Sequence, residues 1–464
     1  MILLSIMLFY KEKTHHSKIN WQKRMAESKG NSDVIIEGGT LLTMVDGEEP
    51  MHGARVIISG DSIEEVSARQ DSPLPEADEI INAEDAIVLP GLINTHGHSP
   101  MTIFRGMADD LPLKKWLFDH IFPAEAKHLN PNTVYWASLL GCLEMIASGT
   151  TTSVDGYFFA DGIVKATNEA GIRALVAQGV IDFPAPGVPD PEENLDVAMA
   201  FLERWIDFSD LITPGIFCHS PLTCSAETLQ KAHEISARFG SPLQTHLSET
   251  QKEVEEIEKR TGLWPVFYLD DLGLLNSNLI AAHAIYLSEE EIDLLAKRQV
   301  KIAHCPESNM KLGSGIAGVA TMLGKGLTVG LGTDGCASNN NLDLFGEMDT
   351  AAKLAKVASL DPILLDARAV LKMATIGGAK VAGLEDRVGT IEAGKKADII
   401  IVDTNTPHMT PLYNPYSQLV YSAAGGDVRD VIINGRVVYR DRRFTTLDRD
   451  QIMNEVRRLS QRIP

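Results

Sequence analysis

Between residues 88 and 385, apolar β-branched runs alternate with helical stretches, and eight such runs can be counted: VLPGLINTHGH, TTSVDG, ALVAQGVI, ITPGIFCHS, PLQTHLSE, LIAAHAIY, KIAHCPESN and LTVGLGTDG. Alternation of this kind builds a parallel sheet, because parallel neighbours need a crossover between them. Eight parallel strands with intervening helices close into a (β/α)8 barrel. Polar residues of ligand type stand at the C-terminal ends of several runs: His96 and His98, His219, His246 with Glu249, His283, and Asp334. Barrel enzymes assemble their sites at that end of the strands, whereas a purely structural fold has no reason to place histidines there repeatedly.

Both flanks have a different texture. VIIEGGTLLTM, ARVIISGDSIEEVSA and EIINAEDAIVLPG on one side, and KADIIIVD and VRDVIINGRVVYRDRR on the other, are short runs punctuated by Gly and Asp. They read as antiparallel strands, with Asn434-Gly435 as a hairpin turn. Two such segments flanking a barrel predict one sheet split between the termini, with the barrel inserted into it. The longest barrel connection, Ser99 to Gly149, is rich in aromatic, proline and acidic residues and suits a lid over the mouth.

Charge and cysteine content narrow the classes. Sixty-three acidic against 42 basic residues give a net charge of −21, which repels phosphate backbones and anionic lipid and excludes nucleic acid as the expected partner. Cys142, Cys218, Cys224, Cys305 and Cys336 are odd in number and form no CxxC pair, so a reducing, cytoplasmic setting is expected. The opening MILLSIMLFY is too short to span a bilayer, and no other run approaches the required length, so no membrane span is expected. Residues 1–32 read as a loose tail, either an extension from an upstream start before Met25 or a membrane-contacting segment.

His96-Gly97-His98 carries the chemistry. Residues i and i+2 of a strand point to one face, so both imidazoles can aim into the barrel. Neutral imidazoles suit zinc or another first-row divalent ion. With His246 and Asp334 ending later strands of the same barrel, three histidines and a carboxylate make a mononuclear site that keeps an open position for water.

PGLINTHGH, QTHLSE, the His304-Cys-Pro-x-Ser-Asn segment, LGTDG and GTIEAGKKADIIIVD resemble the amidohydrolase superfamily, and within it the methylthioadenosine/S-adenosylhomocysteine deaminases and their triazine chlorohydrolase relatives, over residues 34 to 445. The resemblance implies a (β/α)8 barrel inserted in a small β-sandwich. The corresponding division is an N-terminal tail at 1–32, sandwich segments at 33–87 and 386–445, the metal-dependent barrel at 88–385, and a C-terminal helix or tail at 446–464. It also implies one divalent metal, expected to be Zn2+, held by His96, His98, His246 and Asp334. Asp334 would also accept a proton from the metal's water. Glu249 would protonate a purine ring nitrogen, or else it is a solvent-facing residue at a helix start. His283 would relay a proton or stabilise a developing alkoxide, or else it is a satisfied core histidine. The fourth strand has no Lys to bridge two metals, which favours one.

Under the same resemblance His219 contacts substrate and Glu125 grips the ribose hydroxyls, the alternative for Glu125 being an ordinary loop carboxylate. Trp116, Phe118 and Phe122 either line an apolar wall or pack on the barrel rim; His120, His128 and His233 read as ordinary residues. The family's basic residue after the third strand is missing, since Ala174 to Glu203 contains neither Arg nor Lys. That departure weakens S-adenosylhomocysteine as a substrate unless Arg105 or a neighbouring subunit supplies a cation. The expected activity is hydrolytic deamination of a 6-aminopurine nucleoside, methylthioadenosine, S-adenosylhomocysteine or adenosine, by a homo-oligomeric enzyme. The competing readings are a guanine, pterin or s-triazine hydrolase with the same site, and a non-catalytic barrel scaffold.

Overall fold

The computed structural model describes residues 34–68 and 76–463; the expected tail at 1–32 lies outside them. Eight parallel strands run in chain order around the barrel: β1 Leu92–Gly97, β2 Thr150–Tyr157, β3 Arg173–Val180, β4 Ile212–Cys218, β5 Leu243–Leu247, β6 Leu279–His283, β7 Lys301–His304 and β8 Thr328–Leu331. Each pairs with the next. The ring closes where Asp334 N–H donates to His96 C=O at 3.0 Å and Thr95 Oγ1 donates to Leu331 C=O at 2.9 Å. Closure needs a residue without a side chain, since a Cβ on Gly332 would lie 2.8 Å from His96 N. The expected barrel is therefore present.

The first strand run is two strands rather than one. Ala86–Pro90 belongs to a terminal sheet and Leu92–Gly97 to the barrel. The break falls at Gly91, where a Cβ would approach Thr151 Oγ1 to 2.1 Å. The chain thus turns from one sheet into the other at the only residue type that fits against β2.

A seven-stranded sheet pairs Ala86–Pro90 with Ile399–Asp403, antiparallel, so the two ends of the chain meet in it. A four-stranded sheet of Val34–Glu37, Ala54–Ser59, Ser62–Ala68 and Glu79–Asn82 faces it. Ile36, Val56, Ile58 and Ile81 from the smaller sheet share one core with Val88, Ile399, Ile401 and Ile432 from the larger. This is the expected small sandwich. Asn434 and Gly435 both have positive φ, 52° and 76°, as the tight hairpin between Val428–Ile433 and Arg436–Arg440 requires.

Barrel and sandwich are joined by Arg173, at the start of β3, whose guanidinium pairs with both Asp398 oxygens at 2.9 and 3.0 Å. The side chains of both partners are 2% exposed. Helices connect the barrel strands, and Arg449–Ser460 forms a final helix. Among the described residues the five cysteines are buried and unpaired, and no helix is long and apolar enough to cross a membrane.

Candidate active site

The strand ends converge at the C-terminal mouth. His96 and His98, two apart on β1, present their rings together with centroids 4.8 Å apart. His98 Nδ1–H donates to the Gly156 carbonyl at 2.6 Å, so in the neutral ring Nε2 carries the lone pair. That Nε2 lies 3.3 Å from Asp334 Oδ1, and His96 Nε2 lies 3.4 Å from the same oxygen. His246, on β5, brings its Nε2 to 3.3 Å from His96 Nε2. Donor atoms of His96, His246, His283 and Asp334 all lie within 4.8 Å of one another.

Burial sets the charge of this cluster. It pulls the His96 imidazole down to about 4 and His246 well below its ordinary value. His98 is pulled down by burial too, but the Asp334 carboxylate outweighs this and leaves it raised. Burial would raise Asp334, yet His96 and His98 hold it well below the usual carboxylate range. Imidazoles and an ionised carboxylate aimed at one point are the donor set of a divalent metal, whose binding displaces any proton His98 holds. The Oδ2 of Asp334 accepts from Ser308 Oγ and Ser338 Oγ at 2.7 and 2.8 Å, which turns Oδ1 toward the histidines. Asp334 takes φ +60° and His283 φ +70°, left-handed conformations that cost side-chain-bearing residues about 1–3 kcal/mol each and gather at functional sites.

His283 is differently tethered. Its Nδ1–H donates to Asn309 Oδ1 at 2.8 Å, and its Nε2 stands 4.0 Å from Glu249 Oε2. Glu249 follows β5, and its side chain is 14% exposed, so the alternative of a solvent-facing helix-start residue does not fit. Burial raises its pKa. The following helix, Gln251–Thr261, explains its position: Thr250 caps Glu253 N–H, and Glu253 Oε2 reaches back to accept Glu249 N–H at 2.9 Å. The helix start therefore clamps the Glu249 backbone at the barrel mouth.

One cavity holds His98, Glu125, His219, His246, Glu249, His283 and Asp334. His219, just past β4, has its Nδ1 2.9 Å from Thr223 Oγ1, and burial lowers it to about 3. Glu125 comes from the helix Phe122–His128 in the long first connection and is buried, not an exposed loop carboxylate. It accepts the hydroxyl proton of Tyr157, the last residue of β2. Burial pushes Glu125 up to about 7, against the opposing Tyr157 bond. Trp116 and Phe122 line the cavity, whereas half-exposed Phe118 meets Phe122 edge to face outside it. His304 is buried and lowered to about 3 by burial, and its Nδ1 has no partner among the described residues.

Sequence reasoning missed the supports: Tyr157 behind Glu125, Asn309 behind His283, Ser308 and Ser338 behind Asp334, and Asp155, whose Oδ2 accepts Ser99 N–H at 2.8 Å beside His98. The polar end of the second strand, TTSVDGY, was a signal for Asp155 and Tyr157, both at the mouth-facing end of β2.

The amidohydrolase family pattern matches residues 87–438. A 5-methylthioadenosine/S-adenosylhomocysteine deaminase of Syntrophobacter fumaroxidans is 46% identical over 433 residues, covering 93% of this chain and 98% of the relative. A 5′-deoxyadenosine deaminase of Methanosarcina barkeri is 43% identical over 435 residues, with 93% and 98% covered. The crystal structure of an adenosine deaminase from Xanthomonas campestris with bound zinc superposes with a TM-score of 0.90 at 37% identity, over 93% of this chain and 98% of that one. A pattern that spans the barrel and the returning sheet, with relatives matched over nearly their whole lengths, shows that the chain belongs to the amidohydrolase family.

Proposed function

We propose that the protein is a zinc-dependent hydrolytic deaminase of 6-aminopurine nucleosides, with His96, His98, His246 and Asp334 as zinc ligands. The observation that carries this reading is one cavity in which a buried Glu249 stands beside a converging His/Asp donor set and Glu125 faces the same space. The names of the deaminase relatives and the zinc in the Xanthomonas campestris structure support it. Zinc held by these residues would supply a water acidified to about pKa 7, a nucleophile at neutral pH.

The chain's own groups do the rest. Glu249, whose pKa burial raises, gives a proton to purine N1 and makes C6 electrophilic. Asp334, with Oδ2 already satisfied by two serine hydroxyls, takes the proton of the attacking water. The proton taken by Asp334 passes by way of His283, which Asn309 orients, to the departing amine, and the remaining hydroxyl proton returns to Glu249 as the C6 carbonyl forms. The new bond is C6–O and the broken one C6–N, so water and nucleoside become the inosine analogue and ammonia. Glu125 accepts from the vicinal ribose hydroxyls, and His219 contacts the substrate.

Glu249→Gln should retain zinc and lose turnover by about 10²–10⁴-fold, the range of a general acid. Near-normal ammonia release from that variant would overturn the role. In parallel assays of the zinc-loaded protein, ammonia from guanine but from no adenosine derivative would overturn the substrate class.

A further inference from the structure

We infer that the cavity selects nucleosides whose 5′ substituent is short and uncharged, such as methylthio or hydrogen, and disfavours a 5′ chain ending in an amino-acid carboxylate. The inference rests on the deaminase reading and deepens it.

Among the described residues lining the cavity there is no lysine or arginine, while Glu125, Glu249 and Asp334 contribute three carboxyl groups. Apolar side chains supply much of the remaining wall, notably Leu113, Trp116, Leu117, Phe122, Phe158 and Val180. Leu113, Trp116, Leu117 and Phe122 come from the same connection that carries Glu125. A ribose held at Glu125 therefore has its 5′ end in reach of a mostly apolar surface.

None of the cations of the surrounding segments lines the cavity. Arg105 Nη1 donates to Glu144 Oε1 at 3.0 Å and to the Asn340 carbonyl at 2.8 Å, with Nη2 on Glu144 as well. Lys311 Nζ pairs with Asp109 at 2.6 Å and with the Asn340 side chain. Lys114 and Lys115, next to Leu113, are exposed and do not line the cavity.

A homocysteine tail carries an ammonium and a carboxylate. The ammonium finds carboxyl groups in this cavity, but the carboxylate finds no basic side chain to pair with among the described lining residues. A charged group that loses its hydrating water without gaining a partner is penalised. A methylthio group has no such requirement and gains by leaving water.

The test compares kcat/KM of the zinc-loaded enzyme for methylthioadenosine, 5′-deoxyadenosine, S-adenosylhomocysteine and the carboxamide of S-adenosylhomocysteine. The first two should exceed S-adenosylhomocysteine by on the order of 10- to 100-fold, and the carboxamide should recover most of the loss. Leu113→Arg should narrow the ratio, and Leu113→Gln should not. S-adenosylhomocysteine within about threefold of methylthioadenosine would overturn the inference and leave the deaminase reading standing. A carboxamide as poor as the acid, or a ratio that Leu113→Arg leaves unchanged, would overturn the charge argument. No turnover of any adenosine derivative would remove the deaminase reading itself, and the inference with it.

Discussion

At the residue scale, Glu125 is the group whose titration is most open to measurement. Burial pushes its carboxyl up to about 7, so it is neutral in mild acid and ionised in mild base. A carboxylate accepts from two hydroxyls, whereas the neutral acid has a hydrogen to place, and Tyr157 already occupies one oxygen with its own. Nucleoside affinity should therefore rise as pH increases from about 6 to about 8, by up to about tenfold, and Glu125→Gln should flatten that slope in a binding titration. The sign for folding is opposite: with the folded value above the unfolded one, stability is fullest in acid and declines as pH rises through about 7. A second prediction separates ligands from neighbours. His98→Ala should lose zinc, because Nε2 of that ring points at Asp334, while His283→Asn should keep it, because His283 is held by Asn309 and faces Glu249. Metal content of the purified variants, measured beside turnover, decides the assignment. His96, His98 and His246 could be picked out beforehand because strand periodicity fixes which face a side chain takes. The partners of Tyr157 and Asn309 could not, because they lie 32 and 26 residues away, a register that no local pattern encodes.

Helix starts are the elements that turn a correct strand into a working site. Thr250 and Ser288 cap helices of similar length on the same barrel, each accepting the N–H of a Glu three residues on. Only the first helix holds the backbone of Glu249. Ser288→Ala should lower stability by about 1 kcal/mol in chemical denaturation and leave kcat unchanged. Thr250→Ala should cost a similar amount and also reduce kcat, because the clamp on Glu249 loosens. Both caps are visible in the sequence as S/T-x-x-E ahead of an apolar-periodic stretch. The split of VLPGLINTHGH into two strands was not, since continuous apolar sequence reads the same whether it feeds one sheet or two. Gly91 marks the break only once its distance to Thr151 is known.

Over the whole molecule, a buried ion pair ties the terminal sheets to the barrel beside the core they share. Arg173 and Asp398 are 225 residues apart in sequence, and both side chains are 2% exposed. Removing one partner leaves a buried charge uncompensated, so Arg173→Ala should destabilise the fold by about 3–5 kcal/mol. A denaturation curve of this variant with an unchanged midpoint would show that the two units do not rely on the contact. The split of the sheet between the ends was legible from the likeness of the two flanks, while the pair that joins it to the barrel was not. The pairing of Ala86–Pro90 with Ile399–Asp403 has a further consequence for how the protein is made. Ile399 leaves the ribosome more than 300 residues after Pro90, which at about 5–20 residues per second is a delay of roughly 15–60 s. For that interval the hydrophobic strand Ala86–Pro90 waits without its partner, and a nascent chain stalled anywhere inside the barrel presents an open sheet edge to every chaperone and neighbouring polysome.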